Sequence, residues 1–515
     1  MGWMEQLKNT LDDQYNVSVT ENGAKGYRTT GRELLDLNFM VSSMRTMEED
    51  EIRARFSRAF YEDRRLAVKW MFYAGDVRGG LGERRLFRIC LRWLAQGHAG
   101  AAEAVLKLVP EYTRWDNLLP LLDTELSGQV IRLLGDRLRE DIAAMEAGKP
   151  VSLCAKWLPS VNASSLKTRR QASALAAGLS MTQSQYRRSL SRLRAYMKVT
   201  ETLMSSGGWQ EIDYSQVPSR ANLLYSKAFL RHDGERRREY LEAVAKGEEQ
   251  IHGGVLFPHD IVHRYYNQQG GRWGSELGPE DAALEALWRE LPDYVQGNGT
   301  TLCVADGSGS MRTRAGNGSV TCLEVANALA VYFGERCGGA FKDTYITFSS
   351  HPRLVSLAAG KTLREKLEIT AGYQEIANTN IEAVFDLILD TARMGNMSQE
   401  EIPATVLVLS DMEFDGAVCC GEEGGSKPTA RLFEEIACRY RAAGYQLPRL
   451  VFWNICSRTG TIPLRQNRLG AALVSGFSPA AVRLVLSGET DPYQCLVKEL
   501  DSQRYSLVEE ALAGR

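Results

Sequence analysis

At 515 residues, with 44% hydrophobic and 24% charged side chains, the chain is long enough for two or more domains and apolar enough for sizeable cores. Its 62 Lys and Arg against 64 Asp and Glu leave a formal net charge of −2, so overall charge points to neither nucleic acid nor membrane, and no apolar run reaches transmembrane length. The 10 cysteines form no Cys-x-x-Cys pair, and Cys90, Cys303, Cys438 and Cys456 sit inside apolar patterns; reduced core thiols and a cytoplasmic location are the expectation.

The N-terminal stretch Met-Gly-Trp-Met-Glu-Gln-Leu-Lys lacks a signal-peptide core, and Gln6 stands where a myristoylation motif needs Ser or Thr. From there to about residue 290, apolar residues recur three and four apart in 51–70, 84–96, 100–108, 128–145 and 185–204, the mark of amphipathic helices. Strand signals are scarce. The expectation is an all-α domain over 1–291, an irregular HEAT-like solenoid of helix pairs without a strict repeat.

Three clusters interrupt this pattern. In Asp76-Val-Arg78-Gly79-Gly80-Leu-Gly82-Glu83-Arg84-Arg85, glycines and arginines can cradle a phosphate at a helix N-terminus, or Asp, Arg and Glu can brace an inter-helix turn; the absence of Gly-Lys-Ser/Thr excludes a Walker loop. Arg114-Trp115-Asp116 reads as a second bracing corner. His259 and His263 have the i,i+4 spacing of a zinc pair, but no third ligand accompanies them.

Residues 151–240 carry fifteen positive and six negative side chains, a net of +9, interleaved with Trp157, Tyr186, Tyr196, Trp209, Tyr214, Tyr225, Phe229 and Tyr240. A basic face with exposed aromatics tracks a phosphate backbone and stacks unpaired bases, with Lys167, Arg169, Arg170, Arg187, Arg188, Arg192, Arg194 and Lys198 as the contacting residues. The competing reading is a solvated arginine face over an aromatic core. A helix over 281–291 and a linker over 292–300 close the region.

The remainder reads differently. Apolar strands over 301–306, 344–348, 353–356, 405–411, 450–455 and 471–475 alternate with helical patterns over 322–336, 380–393, 428–441 and 479–486, which predicts an α/β, doubly wound, Rossmann-like domain over 301–490. A helical tail occupies 491–515. Adjacent Cys419 and Cys420 lie in a glycine-rich loop where a redox role is open, and His351, before Pro352, reads as a turn residue.

At the end of the first strand stands Asp306-Gly-Ser308-Gly-Ser310. Alone it is either a turn with local hydrogen bonds or an oxygen-only loop for a hard cation. Thr379, just before a helical pattern, and Asp411, ending Thr405-Val-Leu-Val-Leu-Ser, supply two further oxygen donors at positions where an open α/β sheet binds ligands.

These elements resemble the von Willebrand factor A family, whose metal-ion-dependent adhesion site uses D-x-S-x-S, a Thr and a later Asp. The resemblance spans roughly 298–490. It implies that Ser308, Ser310 and Thr379 bind Mg²⁺ (or Mn²⁺ or Ca²⁺), with Asp306 and Asp411 coordinating directly or through water. One departure is Ser-Asp-Met around Asp411, where Thr-Asp-Gly is frequent. The pairing of a helical region with such a domain is similar in layout to Ro autoantigen (TROVE) proteins, which bind RNA. The Asp76-to-Arg84 motif, Lys156-Trp-Leu-Pro-Ser and Tyr186-Arg-Arg-Ser-Leu-Ser-Arg-Leu-Arg look closer still to a functionally uncharacterised family of von Willebrand A proteins.

Two carboxylates formally balance a divalent ion and leave an open position electrophilic toward an anionic oxygen. The expectation is a non-enzymatic, metal-dependent binding protein, with RNA on the helical domain and an acidic protein or other anionic ligand at the metal. The alternative is a protein–protein scaffold without nucleic acid. Metal-assisted phosphoryl hydrolysis has least support, because no second metal cluster or base accompanies the loop.

Overall fold

The Val- and Leu-rich runs after residue 300 form a six-stranded sheet. The computed structural model describes residues 3–4, 16–19, 25–266, 277–295, 300–348, 352–373, 381–413, 430–460, 462, 472–486 and 491–513. Two short strands near the start, β1 (Val17–Val19) and β2 (Lys25–Tyr27), pair antiparallel with each other. The large sheet contains β3 (Thr301–Asp306), β4 (Thr344–Phe348), β5 (Leu354–Ser356), β6 (Thr405–Ser410), β7 (Arg449–Asn454) and β8 (Ala472–Ser475). Their order is β5-β4-β3-β6-β7-β8, parallel throughout except for the antiparallel edge strand β5.

Side chains alternate across a strand, so each strand feeds two cores. Leu302, Val304, Val406, Val408, Leu450 and Phe452 share one face with Val384, Phe385 and Ile388 of the helix Ile381–Met394 and with Ile436 and Tyr440 of the helix Ala430–Ala442. Trp453 faces the other way, with its ring 5.6 Å from that of Phe333 in the helix Cys322–Arg336. Burial on both faces explains why these strands read as unbroken apolar runs.

By contact, the chain divides into two compact units, Met1–Leu66 with Leu256–Leu500 and Ala67–Val255 with Asp501–Arg515. The expected partition in sequence order, with a helical domain over 1–291, differs from this division, and the reason is visible in side chains. Phe39, at the end of the helix Glu33–Phe39, is buried in the sheet's core. Ser42 Oγ donates to Asn454 O (3.1 Å), Ser43 Oγ to Ser457 O (2.6 Å), and Asn454 Nδ2 to Phe39 O (2.8 Å). The segment 39–43 thus crosses the carboxyl ends of β7 and β8.

The other unit is helical among its described residues, including Arg84–Gly97, Ser127–Glu146, Leu166–Gly178, Gln183–Tyr196, Ser219–His232 and Gly234–Lys246. Two expected helices are divided. The pattern over 51–70 breaks at Asp63, which is extended and whose Oδ1 accepts from Leu66 N (2.8 Å) to start the helix Arg64–Gly75. The pattern over 185–204 breaks at Lys198, whose φ of 48° is left-handed. A helix absent from the expectation, Leu363–Ala371, opens with a Thr362/Glu365 capping box that was legible in the sequence.

Residues 501–513 return to this unit. Lys69, 1% exposed, donates to Asp501 Oδ1 (2.7 Å) and to Glu509. Asp76, fully buried, takes a two-pronged ion pair from Arg504, with Nη2 2.9 Å from Oδ1, and also accepts from Arg78 N (2.9 Å). A Cβ on Gly79 would lie 2.2 Å from Arg504 Nε, and one on Gly80 1.9 Å from Tyr73 O. Between the two readings of the Asp76 cluster, these contacts make Asp76 a bracing acid.

Candidate metal centre

The strand order reverses at β3: the chain leaves it for β4 on one side and later returns to β6 on the other. At such a switch point the loops at the carboxyl ends of the two strands diverge and leave a crevice. Asp306 ends β3 and Asp411 follows β6, whose Leu409 is paired with Ala305, so two acids arrive side by side. Each is 1% exposed.

The local bonding holds Asp306 from two directions. Its Oδ1 accepts from Ser308 N (2.9 Å), closing the glycine-containing loop, and its Oδ2 accepts from Ser410 Oγ (2.6 Å). The hydroxyls of Ser308 and Ser310 are 2.9 Å apart. Asp411 Oδ1 accepts from Glu413 N (3.1 Å), whereas its Oδ2 is buried and has no hydrogen bond; the Arg458 guanidinium stands 3.6 Å from it. Burial, followed by the negative charge of Asp306, pushes the Asp411 carboxyl up to about 7, against the pull of Ser310, the Glu413 amide and Arg458.

Two buried carboxylates that repel each other, one orphaned acceptor oxygen and two converging hydroxyls fit a hard divalent cation. Asp306, Ser308, Ser310 and Asp411 would hold it, and the ion would supply charge compensation and an open coordination position. Thr379 lies outside the described residues, as do His351, Cys419 and Cys420. Met412 takes a φ of 63°, where the frequent glycine would sit without strain. Burying its side chain in the sheet's core offsets a backbone cost of about 1–2 kcal/mol.

Three residues of this corner were missed in the sequence. Ser410 fixes Asp306, and its position directly before Asp411 was the available signal. Glu413, 2% exposed, accepts from Arg458 N (2.8 Å) and Thr459 N (3.0 Å), tying the loop after β6 to the loop after β7, from which Arg458 reaches Asp411. A cavity of about 20 Å³ beside Asp306 is lined by Asn327 and Thr370, each with a buried side-chain atom lacking a hydrogen bond, and has room for one water.

The buried Asp411 carboxyl makes native stability depend on pH. Its native pKa is raised above the unfolded value of 3.8, so ionisation costs native stability in full above pH 7, and the cost is relieved on acidification toward pH 4. In chelator-treated protein, Asp411→Asn should melt above wild type at pH 8, with the gap shrinking toward pH 5. A gap that is constant with pH would contradict the burial of an ionised Asp411.

Elsewhere the expected ligands and contacts disperse. His263 bonds Glu324 Oε2 (2.8 Å) and Ser319 Oγ (2.9 Å), while His259 lies edge-on to Phe477. Among the described residues, no group of three or more His, Cys, Asp or Glu side chains is arranged to hold a metal. Of the basic set, Lys167, Arg169 and Arg170 on one helix and Arg187, Arg188, Arg192 and Lys198 on or just after the next are exposed. Arg194 is half-buried and donates to Ala155 O (2.9 Å) and Leu158 O (2.7 Å), an anchoring role. Tyr186, Tyr214, Phe229 and Tyr240 are core residues, whereas Tyr196 is exposed.

A family described as a domain of unknown function (DUF2828) matches residues 20–113 and 124–301, and a second such family (DUF7788) matches residues 300–509. The chain is 27% identical to uncharacterized protein L728 of Acanthamoeba polyphaga mimivirus, over 94% of this chain and 87% of that one. Among the described residues, no helix is long and apolar enough to cross a membrane.

Proposed function

Starting from a chain that belongs to the DUF2828 family, whose description carries no activity, we propose a non-enzymatic, divalent-metal-dependent binding protein with a von Willebrand factor A-like domain. The observation behind this reading is the meeting of Asp306 and Asp411 at the switch point of the sheet, with Ser308 and Ser310 beside them. The ion is Mg²⁺, Mn²⁺ or Ca²⁺, and Thr379 is its remaining protein ligand by the family resemblance. An ion with few protein charges around it keeps an open position for an acidic protein or other anionic ligand. Calorimetric titration of the metal tests this half.

The helical unit binds RNA in the same reading, and the support is the exposure of seven of the eight basic residues named above. Arg187→Glu/Arg192→Glu should lower affinity for single-stranded RNA by roughly tenfold at low salt and flatten the log K against log salt slope by about 1.4, at about 0.7 per phosphate contact. Fluorescence anisotropy across a salt series measures both. If wild type does not bind RNA at low salt, the protein–protein scaffold reading takes its place.

A further inference from the structure

The Asp411 carboxylate has one oxygen, Oδ2, that is buried and accepts no hydrogen bond. A positive charge of the chain's own faces it. Arg458 Nη2 stands 3.6 Å from this oxygen, too far for a hydrogen bond and close enough for attraction between unlike charges.

The two ends of Arg458 are held differently. Its backbone is pinned: Glu413 Oε1 accepts from Arg458 N (2.8 Å) and Thr459 N (3.0 Å), Ser457 N donates to Asn454 Oδ1 (2.8 Å), and Ser457 O accepts from Ser43 Oγ (2.6 Å). Gly460 packs so closely on Met40 that an added Cβ would lie 2.9 Å from the Met40 methyl. The Arg458 side chain is 32% exposed, so its guanidinium has a path to water while the backbone stays in place. Asp411, 1% exposed, has none.

A divalent ion at this centre needs the same oxygen, since hard cations take carboxylate oxygens at about 2.0–2.6 Å. Ion and guanidinium are then two cations drawn to one acceptor away from bulk water, and they repel each other. Because its backbone is fixed, the guanidinium stays at high local concentration beside Asp411 whatever the solution contains. Building on the metal reading of the Asp306 and Asp411 centre, we infer that Arg458 is a tethered competitor of the divalent ion, which binds fully only when the guanidinium turns out toward solvent. The affinity of the centre is therefore set by Arg458 as well as by the oxygen donors.

Calorimetric titration of the chelator-treated, full-length protein with Mg²⁺, Mn²⁺ and Ca²⁺ in turn tests this, with thermal melting of the same samples as a second readout. Arg458→Gln should bind the ion roughly tenfold tighter than wild type, within the usual range of coupling between neighbouring sites. Arg458→Lys, which keeps the charge on the same pinned backbone, should stay closer to wild type than Arg458→Gln does. Arg58→Gln removes the same charge from an exposed arginine paired with Glu33 and should leave the affinity unchanged. Before metal is added, Arg458→Gln should melt below wild type, because Asp411 has lost a compensating charge, and saturating metal should close or reverse that gap. A side chain that served only to hold the loop would leave the same gap with and without metal. Equal or weaker metal binding by Arg458→Gln would overturn the inference and leave the metal centre standing. If neither wild type nor Arg458→Gln binds any of the three ions, the metal centre itself falls, and the inference with it.

Discussion

Asp306→Ala is expected to abolish divalent-cation binding: Mg²⁺ or Mn²⁺ titrated into wild type should release a saturable heat, and into the variant only heat of dilution. Asp306 is one of two carboxylates in an otherwise neutral donor set, so its loss halves the formal charge facing the ion. It also organises the loop, since Ser308 N and Ser410 Oγ both donate to it and the Ser308 and Ser310 hydroxyls follow from that turn. The variant should remain folded. Leaving those two donors unsatisfied costs about 1–3 kcal/mol each at most, and removal of the charge beside Asp411 offsets part of that cost. Equal heats from wild type and variant would remove Asp306 from the site.

Asp76→Ala is expected to cost about 3 kcal/mol in urea unfolding of the helical unit and to make the segment 501–513 sensitive to protease. Breaking a buried pair from one side leaves the other charge without compensation, at about 3–5 kcal/mol. The lower end applies because Arg504 is 36% exposed and can turn toward water. The variant also strips the acceptor from Arg78 N and Tyr505 Oη. An unchanged unfolding midpoint, or a tail as resistant as that of wild type, would show that Asp76 does not hold it.

The sheet was legible because its strands are buried on both faces. Runs such as Thr405-Val-Leu-Val-Leu-Ser have no polar break to mistake for a turn, and observed and expected strand bounds agree to within about one residue. The acids at strand ends were legible for the same reason. Their adjacency was not, because it depends on β6 pairing with β3 across about 100 residues of intervening chain. Nor was the segment 39–43, whose partners Asn454, Ser457 and Ser475 are more than 400 positions away. Its serines look like ordinary turn residues.

The interleaved division of the chain has a consequence for biogenesis. Unit boundaries at 66/67, 255/256 and 500/501 mean that neither unit is contiguous in sequence. On a translating ribosome, the helical unit emerges first by mass, yet buried Lys69 and Asp76 have no counter-ions until residues 501–509 are synthesised. Phe39 likewise waits for β7 and β8. Both units therefore complete their cores only when their later segments follow, the opposite of domain-by-domain assembly from the N-terminus.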